Sequence, residues 1–191
     1  MAHSNTGLIR TPDDGQVRRE WGSVTENSLR IEQEDAAAII DALIADHAGS
    51  FNLFYVVRKH YWTAAGAEFH QVAEALEDAY ARLRAITDAL GVRIVELGGM
   101  PGSTPPSIQK HANVHLEAEN IYDLRASLEG DLEGYANLAA SMRDHVDVAT
   151  ERGDQATAEL LRNQLQVLEL DAYTIHEFLS EDSLFEGEAR E

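Results

Sequence analysis

At 191 residues and without cysteine, the chain is long enough for one domain with a real core but carries no disulfide, thiolate metal site or cysteine nucleophile. Its 34 acids against 15 Lys and Arg give a formal net charge of -19, which opposes contact with the phosphate backbone of nucleic acid. No apolar run is long enough to span a bilayer and no signal-peptide pattern opens the sequence, so the expectation is a soluble, cytoplasmic protein with no membrane partner.

Lys59 and Lys110 are the only lysines. A surface this rich in carboxylates and poor in Lys reads as adapted to high salt, where self-repulsion is screened. An ordinary acidic bacterial protein is the alternative reading of the same composition.

Residues 1–34 form a polar leader, expected to be extended or poorly ordered with Trp21 docking on the body. Its cations Arg10, Arg18, Arg19 and Arg30 are opposed by acids, so it does not read as a DNA-binding tail. Residues 35–182 read as the helical domain and 183–191 as an acidic tail. The first helix begins near Glu34 or Asp35, whose carboxylates suit a helix N-terminus. Ile39, Ile40, Leu43, Ile44, His47, Phe51, Phe54, Tyr55, Arg58 and Trp62 follow helical spacing, and Gly66 marks the corner after them.

The second helix is predicted from about Glu68 to Leu97, with Phe69, Val72, Leu76, Tyr80, Leu83, Ile86, Leu90, Ile94 and Leu97 in phase and Gly98-Gly99 as its stop. The stripe runs through Gly91, so the helix is kept whole. Residues 98–120 hold Pro101, Pro105 and Pro106, and read as a long crossover with a short helix at 107–112. The third helix covers about 121–151 and the fourth runs from Asp154, a plausible N-cap, to about Ser180. Four long amphipathic helices with one long crossover make an all-α bundle, a topology found in ferritin-like folds.

A metal site in this chain needs His, Asp and Glu, and no helix carries the Glu-x-x-His spacing of di-iron bundles. His70 lies four residues before Glu74 and seven before Glu77, on one face of the second helix, with Asp88 further along. Solvated surface residues are the simpler account of these acids. His47 and His60 lie on the first helix, where a core or interface histidine is commoner than a ligand. No phosphate loop, GxSxG or HExxH motif is present.

The helix order, the crossover with its short helix, and the run of Trp62, Gly66, Phe69 and Gly98-Gly99 resemble the Dps family of ferritin-like mini-cages. Val17 to Gly22, Gly66 to Phe69, Tyr122 to Arg125 and Gly153 to Ala158 resemble its haloarchaeal members. The resemblance spans roughly residues 17–184. It implies a ferritin-like four-helix bundle, a dodecameric shell, and ferrous iron that enters by acidic pores, is oxidised between two-fold-related subunits and is mineralised inside. It also implies a role in starvation and oxidative stress.

The family's iron ligands fall on Tyr61, Ala73, Glu77, Asp88 and Val92. Glu77 and Asp88 keep a carboxylate, while Tyr61, Ala73 and Val92 replace two imidazoles and one carboxylate. The resemblance therefore implies an iron-handling cage subunit whose ferroxidase site is degenerate and binds iron weakly. A displaced site using His70 and His60 is the rescue: His70 sits one turn before Ala73, and His60 points about 100 degrees away from Tyr61. The alternative is a structural or ligand-binding cage protein without iron oxidation, assembling alone or with an active paralogue. Asp154 matches a pore-lining position as well as an N-cap.

Overall fold

The computed structural model describes residues 14–180. Every regular element among them is helical: a short 3-10 turn at Asp14–Gln16, then α1 (Gln33–Thr63), α2 (Phe69–Glu96), α3 (Pro105–His111), α4 (Leu124–Glu151) and α5 (Gln155–Leu179). Both long hairpins, α1/α2 and α4/α5, pack along their lengths. α1 also packs on α4, and α2 on α5, closing a four-helix ring. α3 belongs to the crossover and lies against α1.

Most of the predicted stripe positions are buried, but Tyr55, Trp62 and Phe69 are exposed, and the second half of α1 turns Leu53 and Val57, which the predicted stripe left out, into the core instead. Leu43, Leu53 and Val57 of α1, Leu76, Leu83, Ile86 and Leu90 of α2, Leu138 and Met142 of α4, and Leu161 and Leu168 of α5 share one core. Each such side chain contributes about 1.5–3 kcal/mol when fully buried. At the middle of α1 the burial is continuous from Asp46 to Ser50, because the crossover covers the side that would otherwise face water. Asn52 donates to the carbonyl of Val114 at 2.7 Å and fastens that cover.

The glycine pair ends α2 as expected, and does more. Gly98 sits at φ 91°. Its N–H bonds the Val95 carbonyl at 3.0 Å, while the Gly99 N–H bonds that of Ile94 at 2.9 Å, a Schellman motif. A Cβ at Gly98 would lie 2.2 Å from the carbonyl oxygen of Thr25. The leader crosses at that point: Thr25 N–H bonds the Gly98 carbonyl at 3.0 Å. Arg19 Nη1 donates to the carbonyls of Gly98 and Gly99 at 2.8 and 2.9 Å. Trp21 sets its ring 6.1 Å from that of His111. The described part of the leader is thus strapped across the C-terminal end of α2; Arg10 and residues 181–191 lie outside the described residues.

Two boundaries differ from the sequence expectation. α3 starts at Pro105, two residues early, because both prolines fit the first turn, where no N–H is needed. α4 starts at Leu124, and Asp123 takes the N-cap position, leaving Ile121 and Tyr122 exposed in the crossover.

Candidate metal centre

The outer face of the α1/α2 hairpin carries the residues singled out by sequence. Tyr61 and Trp62 close α1 and Phe69 opens α2, so the corner at Gly66 brings them together. With His70, Ala73, Glu74 and Glu77 they line an open groove of about 620 Å³. Trp62 is 65% exposed. The Arg58 guanidinium stacks over the rings of Phe54, Tyr55 and Trp62 at 4.6, 5.6 and 4.8 Å. Tyr61 packs its ring 5.4 Å from that of Tyr80, which fits a space-filling role. Ala73 is buried in the groove floor, while Val92 projects outward at 60% exposure.

Glu77 and His70 thus share the groove, but Asp88 does not. It lies eleven residues beyond Glu77 on the same helix, about 16 Å along the axis at 1.5 Å per residue. Among the described residues no cluster of three or more His, Asp and Glu is placed to hold a metal within one chain.

His60 is not free to join. It is 2% exposed. Its Nδ1 lies 2.9 Å from both carboxylate oxygens of Asp131, and its Nε2 lies 2.7 Å from Glu117. Both nitrogens are engaged inside the subunit, so the expectation of His60 as a displaced ligand is corrected. Burial works against charge on this imidazole, yet the bonds and charges of Asp131 and Glu117 outweigh it and raise its pKa. Lys59 bonds Glu117 from outside and completes the chain of charges.

Asp154 is likewise occupied. It accepts from the Thr157 N–H at 3.0 Å, as an N-cap does, and from the Thr157 hydroxyl. Arg93 Nη2 lies 2.9 Å from both its oxygens. Burial pushes the carboxyl up, but these bonds hold it below its ordinary value. With its oxygens committed inside the subunit it caps α5, the N-cap role expected of it; pore lining is a property of the assembly and not of the single subunit.

Sequence reasoning missed three buried aspartates. Asp46 accepts from Ser141 at 2.7 Å and pairs with His145 Nδ1 at 2.8 Å. Asp131 holds His60. Asp171 accepts from Arg82 Nε and Nη2 at 2.9 and 2.6 Å, with the Tyr135 hydroxyl at 3.5 Å. A signal was available. Each lies three residues after a core leucine (Leu43, Leu128, Leu168) and four before another inward residue, in phase with the apolar stripe.

His47 also proves distinctive. It is 5% exposed. Phe51 meets its ring edge-on at 5.0 Å. Neither ring nitrogen has a hydrogen-bond partner among the described residues. Burial lowers its pKa to about 4, against the opposing charge of Asp88. Gly91 faces it: a Cβ there would lie 3.2 Å from His47 Nε2. A side chain at Gly91 would press on that ring.

The ferritin-like domain family matches residues 40–185. A Halobacterium salinarum protein named DNA protection during starvation protein is 37% identical over 158 residues, covering 83% of this chain and 87% of its own. A Synechococcus protein named nutrient stress-induced DNA-binding protein is 29% identical over 181 residues, covering 95% of this chain and 98% of its own. The crystal structure of an archaeal Dps homologue from Halobacterium salinarum overlays with a TM-score of 0.87 at 35% identity, covering 90% of this chain and 96% of that one. DpsC from Streptomyces coelicolor overlays with a TM-score of 0.86 at 22% identity, covering 89% and 99%, a likeness of fold.

Proposed function

The chain belongs to the Dps family of ferritin-like proteins, in its haloarchaeal form, and from that premise we propose that it is a subunit of a homo-oligomeric cage that sequesters iron under starvation and oxidative stress. The observation that carries this reading is the overlay on the archaeal Dps homologue, with a TM-score of 0.87 over 90% of the chain. The exposed apolar face of the α1/α2 hairpin, with Trp62, Phe69, Val92 and Val95, supplies a surface for a second copy. The assembly we propose is a dodecamer in the cytoplasm; no described helix is long and apolar enough to cross a membrane.

Iron is the cargo, and Glu77 and Asp88 are its proposed ligands, with His70 beside Glu77 in the groove. Tyr61, Ala73 and Val92 take the place of three donors, so ferrous oxidation is slow compared with a cage that has all of them. Direct DNA binding is not part of the proposal, because a net charge of -19 repels a polyanion.

A second reading is favoured by Ala73 and Val92: an assembled but catalytically silent cage, alone or mixed with an active paralogue. Purified protein in molar salt decides between them. Sedimentation reports assembly, and ferrous oxidation is followed with peroxide and then with oxygen. Rates above buffer, reduced in Glu77→Gln, support the iron reading. Rates equal to buffer, with no iron retained, leave the silent cage.

A further inference from the structure

We propose that His60 is the catch of a pH-operated flap: its Nε2 holds the crossover segment from Val114 to Ala118 shut over a cavity between α1 and α4, and lets it go on losing its proton. All the groups belong to one chain, so this does not depend on the cage reading.

The segment forms one wall of a cavity of about 200 Å³, with Leu53 and Val56 of α1 and Gly130 and Gly134 of α4 among the others. A Cβ at Gly130 would meet nothing within 4 Å, so the space on the α4 side is open. Few ties hold the wall in place. Asn52 donates to the Val114 carbonyl at one end, and Lys59 to the Ala118 carbonyl at 3.0 Å at the other. Between these, among the described residues, Glu117 is the side chain bonded to the helices, by His60 Nε2 and by Lys59. Leu116 beside it is exposed.

The two sides of the His60 ring are unequal. Nδ1 faces Asp131, which is fully buried and has no other side-chain donor among the described residues. Nε2 faces Glu117, which is partly exposed and also holds Lys59. A neutral imidazole keeps a single N–H. Stranding buried Asp131 costs more than releasing Glu117, which Lys59 and water still satisfy. The remaining proton therefore stays on Nδ1. Nε2 then turns a lone pair towards a carboxylate oxygen 2.7 Å away, two acceptors with no hydrogen between them, and Glu117 swings out.

The charges of Asp131 and Glu117 act on the ring and oppose the effect of its burial. Lys59 of α1 acts on Glu117, with Tyr122 of the crossover 5.1 Å from its ammonium. Tyr135 of α4 lies behind Asp131 and leads on to Arg82 of α2 and Asp171 of α5. His115 of the segment and Glu133 of α4 also line the cavity. Because the folded pKa of His60 is raised, the flap is shut below the ordinary histidine value and opens as pH rises through the folded one.

The chain has no cysteine, so a single thiol reports the flap. Val56→Cys places it in the cavity lining, and Met142→Cys, in the fully buried core, is the control for unfolding. Iodoacetamide labelling is followed from about pH 6 to about pH 10, each rate divided by that of free cysteine at the same pH. The Val56→Cys rate is expected to rise at least about tenfold across this range, while Met142→Cys stays slow. Glu117→Gln in the Val56→Cys background should stay slow at every pH, because its amide accepts from an Nε2–H and donates to a bare Nε2. Glu117→Ala should be fast at every pH. His115→Gln, which removes the other imidazole of the segment, should keep the wild-type profile.

A Val56→Cys rate that does not rise with pH overturns the proposal. So does a rise that persists in Glu117→Gln, or one that disappears in His115→Gln. A rise matched by Met142→Cys is unfolding of the whole bundle and overturns it as well.

Discussion

Replacing His60 with Leu is expected to destabilise the subunit by about 3–5 kcal/mol, the cost of stranding a buried charge. Asp131 is fully buried, and His60 is the donor to both its oxygens. Leucine fills similar volume, so the loss is electrostatic rather than a cavity. Glu117 is a weaker test. It is partly exposed and keeps Lys59, so Glu117→Gln costs only about 1 kcal/mol. The pH dependence is specific. Ionised carboxylates only accept, so an imidazole between two of them carries both protons; burial pushes the Asp131 carboxyl up, against the bond and charge of His60. The imidazole pKa is raised in the folded state. The stabilisation is therefore fully present below the unfolded histidine value, about 6.5, and is lost as pH rises through the folded value. Guanidinium unfolding at matched ionic strength, from pH 6 upward, measures both quantities. His60→Leu with wild-type stability, or with an unaltered pH profile above 6.5, would refute the reasoning. Addition of Asp131→Leu to His60→Leu should recover much of the loss.

Leu83→Ala, at a fully buried site on α2, should cost about 2–5 kcal/mol in the same assay. Asp154→Ala removes the α5 cap and the anchor of Arg93, with an expected loss of about 2–3 kcal/mol. Because its folded pKa is depressed, that contribution holds above the unfolded Asp value of about 3.9 and fades as pH falls through the folded one. Gly98→Ala should release the strap, since its Cβ meets Thr25 and its φ of 91° is left-handed; faster proteolysis within residues 17–32 is the readout.

Scaffold and chemistry were unequally legible in the sequence. The helices were plain because Leu, Ile and Val recur at 3.6-residue spacing, and the stop after α2 because a left-handed glycine is needed there. Local pattern could also say which family positions had changed, since matching Tyr61, Ala73 and Val92 requires only a register. It could not say where His60 or Asp154 points, because their partners Asp131 and Arg93 lie 71 and 61 residues away. A polar side chain in an inward register has a partner across the bundle, and spacing along one helix does not identify it. His47 was read as a core or interface histidine because it fits the apolar stripe of α1, and it is buried there; spacing alone does not show that Phe51 and Gly91 enclose its ring.

The buried charged pairs follow one rule, which carries a last prediction. His60 to Asp131 and Asp46 to His145 join α1 to α4. Arg82 to Asp171 and Arg93 to Asp154 join α2 to α5, the latter at its cap. All four cross between the two hairpins, where no short turn fixes the sliding register of one helix on another. Apolar stripes alone tolerate a shift of one turn; a buried carboxylate and its donor do not, since the shift would strand both. We therefore expect these pairs to set register more than stability. Arg82→Leu alone strands Asp171, with only Tyr135 near, and should cost about 3 kcal/mol. Arg82→Leu with Asp171→Leu should return to within about 1 kcal/mol of wild type, while hydrogen exchange along α2 and α5 becomes faster and less uniform. A double variant as unstable as the single one would show that the pair holds the hairpins together by energy after all, and a double variant with unchanged exchange would show that the apolar stripes already fix the register.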